Sequence, residues 1–265
     1  LPAGGIALAN AVEVASGPSL KARAYDKVCV PVFIQPFMDE VAALASDYRG
    51  DVLETACGTG VATAAIVEGG RAIRQLVATD LDADMLLQAR SKRWPSHVSF
   101  STADAWHLPY QARSFDAGIC IFGLMFVPDV ERALSSMRRV LRPGSPLHLM
   151  TWGCLADNEA FRIGDEVRAR LYPQDRQHFG RDVLCRFSQA GPIEAALVET
   201  GFSQVDSRPV RRRRSVAPMD LARNLVGSRG HPVEKDLRDA GDLYRRMLGD
   251  RPALTMAANL ISARA

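Results

Sequence analysis

The stretch VLETACGTGVATAA, Val52 to Ala65, decides the reading of this chain. It runs from apolar residues through Glu54 into two closely spaced glycines, Gly58 and Gly60, and on into small helix formers. A strand that feeds a helix through a glycine turn is where doubly wound α/β sheets hold their ligands, at the carboxyl ends of the strands. Asp80 ends the next strand-like run, QLVATD, twenty residues beyond Gly60. An acid at that place can take both hydroxyls of a ribose, so an adenosine-bearing ligand is expected.

Three features narrow the ligand. Thr63 replaces the third glycine of a dinucleotide fingerprint, and no Gly-Lys-Ser/Thr follows, which excludes a triphosphate loop. Glu54 sets a carboxylate beside the turn, poorly matched to a pyrophosphate and well matched to an ammonium or sulfonium group. S-adenosylmethionine meets all three conditions: adenosine, no phosphate and a cationic amino-acid end.

Outward from the turn, short apolar runs alternate with amphipathic stretches between Asp51 and Trp152. DVLETA, QLVATD, HVSFSTAD, FDAGICIFG and PLHLMTW read as strands, with helices between them stopped by Gly69-Gly70, Pro95 and Pro143-Gly144. Such alternation implies a parallel sheet with right-handed crossovers. After Trp152, NEAFRIGDEVRARLY and PIEAALVETG read as helices, Gln174 to Ser188 as a loop, FSQVDSRPVRRRRSV as extended, 218–248 as helical and ALTMAANLISARA as a final strand. We expect a single domain over 1–265: lead-in and lid helices over 1–47, a cofactor-binding core over 48–152, and substrate-covering insertions with the final strands over 153–265. Residues 1–17 read as a loose lead-in, and the chain starts on Leu1 rather than Met.

VLETACGTG, VATDLDADML, ADAWHLPY, SFDAGICIFGLMFVPD and RRVLRPGSPLHLMTW stand in order between about residues 48 and 152. With them the chain resembles class I S-adenosylmethionine-dependent methyltransferases, most of all the small-molecule branch of ubiquinone/menaquinone C-methyltransferases. The resemblance implies a Rossmann-like seven-stranded sheet of order 3-2-1-4-5-7-6, its last strand antiparallel, with helical insertions forming a lid. It implies that Glu54 and the backbone of Ala56, Gly58 and Gly60 hold the methionine end, and that Asp80 takes the ribose hydroxyls. Leu81 and Met85 would pack near the adenine, and Asp104 would accept from its amino group with Ala105 and Trp106 beside it. Phe122 and Gly123 would lie under the sulfonium, and Tyr25, on an N-terminal helix, would close over the methionine end. S-adenosylhomocysteine would be the product.

The acceptor is less constrained. Phe33, Leu124, Met125, Trp152 and Phe161, with Phe37 and Phe179, suggest an apolar or aromatic small molecule, methylated on O, N or C, as in secondary metabolism or quinone-like biosynthesis. Aromatic residues at such spacings equally suit a core. His107, His148 and His178 are the histidines weighed as a base; none has a paired acid at a telling spacing, and the catalytic residue stays unnamed. Neither the Asn-Pro-Pro-Tyr clamp of amino-group methylation nor a metal-ligand constellation is evident. Arg211 to Arg214 form a basic run. An RNA methyltransferase would use it as a phosphate-binding patch, but consecutive strand residues face opposite sides. Protection of an edge strand is the expected role. A non-catalytic partner subunit is a further alternative, opposed by the intact Glu54, Gly58, Gly60 and Asp80 set.

Composition sets the frame. The 265 residues carry a net charge of +3, too small to imply nucleic acid, and five scattered cysteines without a CxxC pair. A reducing, cytoplasmic setting is expected, without disulfides, structural zinc or a membrane span, for a monomer or homodimer.

Overall fold

The computed structural model describes residues 17–174, 179–227, 234–250 and 252–265. Residues 1–16 of the expected lead-in, and His178, lie outside them. Seven strands form one sheet: β1 (Arg49–Thr55), β2 (Ala72–Asp80), β3 (Val98–Thr102), β4 (Ala117–Ile121), β5 (Pro146–Trp152), β6 (Ser203–Ser215) and β7 (Ala253–Arg264). Their order is β3-β2-β1-β4-β5-β7-β6. β1 to β5 pair in parallel, and β7 runs antiparallel between β5 and β6, as expected.

The strands alternate their side chains between two apolar layers. Ile119 and Ile121 of β4 face one layer, and Cys120 between them faces the other. The first layer is covered by α2 (Met38–Ala45), α3 (Val61–Gly69), α6 (Glu159–Leu171), α8 (Pro218–Gly227) and α9 (Glu234–Leu248). The second is covered by α5 (Val130–Val140) and α7 (Gly191–Glu199). The helix after β2, α4 (Ala83–Arg90), is capped by Asp82, whose side chain accepts from the Asp84 N–H.

Ahead of β1 the chain is helical from α1 (Leu20–Ala24) to the end of α2, passing through a π-helical winding at Tyr25–Ile34 and a tight turn at Gln35–Phe37. By length and composition this stretch could cross a membrane. It instead buries Val30, Val32, Phe33, Ile34, Phe37, Met38 and Val41 against the first layer. Pro31 and Pro36 explain the irregular winding, since neither has an N–H for the helical ladder. The stretch read as a loop from Gln174 to Ser188 contains a short π-helical turn at Gly180–Leu184.

Candidate active site

β1 ends on Glu54 and Thr55, and Ala56 then takes φ 55°, a left-handed conformation that an L side chain rarely adopts. Phe122, directly after β4, does the same at φ 53°. β1 and β4 are the strands between which the order reverses. Strain of this kind costs about 1–3 kcal/mol per residue and clusters at functional sites.

Glu54 is 1% exposed, and its Oε2 accepts from the Thr63 hydroxyl at 2.6 Å. Burial pushes the carboxyl up to about 8; the Thr63 hydrogen bond works against the rise, and the charge of Asp80 adds to it. Thr63 thus fills the third-glycine position with a hydroxyl that orients Glu54, a role sequence reasoning missed. Asp80 is held on both oxygens, by the Gly58 N–H at 2.7 Å and the Asp82 N–H at 2.9 Å. Burial raises its carboxyl too, while these backbone donors pull the other way. Gly60, at φ +85°, has Trp94 packed against it, so a Cβ there would stand 2.8 Å from the indole. A Cβ on Gly58 would meet no protein atom within 4 Å.

Leu81 is 67% exposed, next to Asp80, and Met85 is half-buried on α4. Asp104, two residues beyond β3, closes its own turn: its Oδ1 accepts the Trp106 N–H at 2.9 Å and its carbonyl the His107 N–H at 3.0 Å. Ala105 and Trp106 are half-buried, with the Arg132 guanidinium 5.4 Å from the Trp106 ring centre. Tyr25 is half-buried on the π-helical winding. Burial raises its phenol pKa above the ordinary value, and the neighbouring Cys29, Asp80 and Asp26 add to that.

An aromatic cluster adjoins the end of β4. Phe122 stacks on Trp152 at 4.0 Å, and Phe37 meets both edge-on at 5.4 and 5.6 Å. Phe161 packs edge-on against Trp152 at 4.8 Å and stacks on Phe33 at 5.2 Å. Met125 joins this layer of the core. Leu124 does not: it is fully buried in the opposite layer, among residues such as Leu134 and Met137. The single turn Leu124–Phe126 sends successive side chains to different faces, so Leu124 leaves the set of acceptor-lining candidates.

The histidines stand elsewhere. His148 lies near the amino end of β5, with Nδ1 2.8 Å from the Tyr48 hydroxyl, and burial pushes its pKa down to about 4. His107 is exposed. Among the described residues no group of three or more His, Cys, Asp and Glu is arranged for a metal ion, and all five cysteines are unpaired.

The arginine run has specific partners, although β6 is an edge as expected. Arg212 donates through Nη2 to Asp39 at 2.8 Å and Glu40 at 2.9 Å, and through Nε to the Pro36 carbonyl at 2.8 Å. Arg214 donates to the Pro31 carbonyl, and Arg208 pairs with Glu40. Arg211 faces away to Asp157 at 2.9 Å. The even-numbered arginines therefore strap the N-terminal helices to the sheet edge, a role beyond edge protection.

Residues 53–149 match the family described as "Methyltransferase domain". A demethylmenaquinone methyltransferase of Lactobacillus johnsonii is 26% identical over 182 residues, 64% of this chain and 73% of that protein. A ubiquinone/menaquinone biosynthesis C-methyltransferase of Shewanella frigidimarina is 29% identical over 182 residues, 63% and 71%. The crystal structure of a putative methyltransferase from Bacillus halodurans shares the fold at a TM-score of 0.59 and 18% identity, over 86% of this chain and 97% of that one. The sheet order, the strand-end turn with its acids and these likenesses converge: residues 53–149 carry a methyltransferase domain, and the chain is an S-adenosylmethionine-dependent methyltransferase that resembles the class I family and, within it, the ubiquinone/menaquinone C-methyltransferases.

Proposed function

We propose that the protein methylates a small, apolar, aromatic acceptor, and that a ring of the quinol type, methylated on carbon, is the acceptor to test first. The observation that carries this reading is the aromatic cluster of Phe33, Phe37, Phe122, Trp152 and Phe161 at the end of β4 and β5, beside the cofactor turn. The names of the two curated relatives supply the quinone class.

The residues fit the cofactor. Glu54 is a buried carboxyl held by Thr63, and a cation beside it would favour its ionised form. The Asp80 carboxylate ends β2 at the place suited to ribose hydroxyls, and the open space over Gly58 leaves room for backbone contact. We assign Glu54, Ala56, Gly58 and Gly60 to the methionine end, and Leu81, Met85, Asp104, Ala105 and Trp106 to the adenine side. When bound, S-adenosylmethionine supplies an electrophilic methyl group on a sulfonium. The chain's own part is positioning and water exclusion. Phe122 and Trp152 hold the acceptor's ring plane, Tyr25 closes the methionine end, and the apolar wall keeps water out. In this reading the acceptor's own hydroxyl pushes electrons to the ring carbon that takes the methyl group. That carbon then gives up its hydrogen as a proton, to water as the site reopens, which restores the aromatic ring, and no side chain is assigned as the base.

The test incubates the protein with S-adenosylmethionine and a demethylated naphthoquinol, and locates the new methyl group by mass spectrometry and NMR. Methyl on the ring carbon supports the reading. Methyl on oxygen, or none alongside turnover of a phenol or amine, overturns it.

A further inference from the structure

Asp26 follows Tyr25 on the π-helical winding and reaches down to the glycine turn. Its Oδ1 accepts from the Thr59 hydroxyl at 2.6 Å and from Lys92 Nζ at 2.7 Å, and its Oδ2 accepts from Gln88 Nε2 at 3.2 Å. Lys92 Nζ also donates to the Thr59 carbonyl at 2.8 Å. Thr59 is the residue between the two glycines and is 1% exposed. The hydrogen bonds and charge of Lys92 and the Thr59 hydroxyl outweigh burial and hold the Asp26 carboxyl below its ordinary range. One carboxylate therefore ties together three segments far apart in the chain: the lid, the glycine turn and the end of α4.

The ties differ along the lid. Ahead of Asp26 they are exposed: Ser19 bonds Asp84, and Lys21 lies 3.7 Å from Asp82. Exposed pairs of this kind contribute about 0–1 kcal/mol. Beyond Pro31, Arg214, Arg212 and Arg208 fix the chain to β6. The π-helical segment between them carries Tyr25; among the described residues its one partly buried ion pair joins Asp26 to Lys92, and both groups also hydrogen-bond Thr59 of the cofactor turn.

We propose that Asp26, with Lys92, is a positioning residue that latches Tyr25 over the cofactor turn and sets how long the cofactor stays bound; this rests on the cofactor assignment above. The latch acts through Thr59. Gly58, its neighbour, donates to Asp80, so the same five-residue turn is gripped by the lid from one side and by the ribose-binding acid from the other. Releasing Asp26 frees the lid segment and loosens the turn together.

The test has two readouts. The first is hydrogen exchange of residues 19–34 in the protein without ligand, which does not depend on the cofactor assignment. The second is the dissociation rate of S-adenosylhomocysteine by stopped flow. Asp26→Ala should raise exchange across 19–34 while leaving 38–45 protected, and should speed dissociation by about ten- to a hundredfold, the range for a charge-assisted bond. Lys92→Met should act in the same direction, and the double variant should be no worse than Asp26→Ala, because the two groups act as one unit. Lys21→Ala, on an exposed pair, should change neither readout. Unchanged exchange in Asp26→Ala, or additive effects of Asp26→Ala and Lys92→Met, overturns the latch. Raised exchange with an unchanged dissociation rate also overturns it, because the contact is then structural only.

Discussion

Gly123 lies directly against Ala56: a Cβ built on Gly123 would stand 2.3 Å from the Ala56 Cβ and 3.1 Å from the Cys120 sulfur. The turns after β1 and β4 thus touch at the point where the strand order reverses, and both carry a left-handed residue there. Gly123→Ala must push the two turns apart. We expect a loss of about 1–3 kcal/mol of stability, the usual cost of overpacking, and a larger relative loss of cofactor affinity. Gly191→Ala, where a Cβ meets nothing within 4 Å, should stay within about 0.5 kcal/mol. Urea unfolding and calorimetry with S-adenosylmethionine measure the two effects.

Glu54 gives the protein a pH signature. Folded and without cofactor, it keeps its proton up to about pH 8, whereas its ordinary value is 4.5. The folded state therefore binds more protons than the unfolded state between those limits, and stability must fall as pH rises through that window and level off above it. Cofactor affinity should run the other way, rising about tenfold per pH unit up to about 8 and flattening beyond, because the cation needs the ionised carboxylate. Glu54→Gln should remove both slopes. Thermal unfolding and calorimetry at pH 6, 7, 8 and 9 test this; parallel slopes in wild type and variant would exclude Glu54 as the titrating group.

How much of this was legible in the sequence depends on the range of the contact. The turn between β1 and α3, the place of Asp80 at the end of β2 and the strand–helix alternation are local patterns, and the structure has them where the sequence put them because strand and helix periods are written in neighbouring residues; the ligand roles of Gly58, Gly60 and Asp80 are proposals. The sheet order came from resemblance and not from pattern. The contacts that organise the lid leave no periodic trace: Asp26 meets Lys92 across 66 positions, and Arg212 meets Asp39 across 173. Leu124 and Met125 were grouped because both are apolar neighbours, and only the backbone turn separates them between layers. Thr63 was read as a missing glycine, and its hydroxyl gained meaning only when Glu54 stood 2.6 Å away.

Trp152 is the hub of the aromatic cluster, touching Phe37, Phe122 and Phe161 while only 2% exposed. Truncating it removes stacked area and leaves a cavity beside the β4 end. Trp152→Ala should cost about 3–5 kcal/mol in chemical denaturation. Trp152→Phe keeps an aromatic wall, so it should recover much of that stability. On the proposed function, acceptor KM should rise in Trp152→Phe more than cofactor affinity falls, since the cofactor acids lie on β1 and β2. Equal losses for both ligands would remove Trp152 from the acceptor wall.

Arg212 separates two readings of the arginine run. It is half-buried, bonded to Asp39, Glu40 and the Pro36 carbonyl, and 5.8 Å from the Phe37 ring centre. Removing it takes the Arg212 guanidinium away from Asp39, leaves Glu40 with Arg208, and removes one donor from the Pro36 carbonyl. Arg212→Ala should therefore destabilise the fold by about 1–3 kcal/mol. Arg213→Ala, on an exposed neighbour, should change it by less than about 0.5 kcal/mol. A phosphate-binding run would behave differently: each arginine would contribute about equally to RNA affinity, and binding would fall steeply with salt. Because the strap already occupies Arg208, Arg212 and Arg214, fluorescence anisotropy should detect no salt-sensitive RNA binding near 150 mM salt. Strong binding lost equally in Arg212→Ala and Arg213→Ala would show that the run serves a nucleic acid and that its contacts to the lid are secondary.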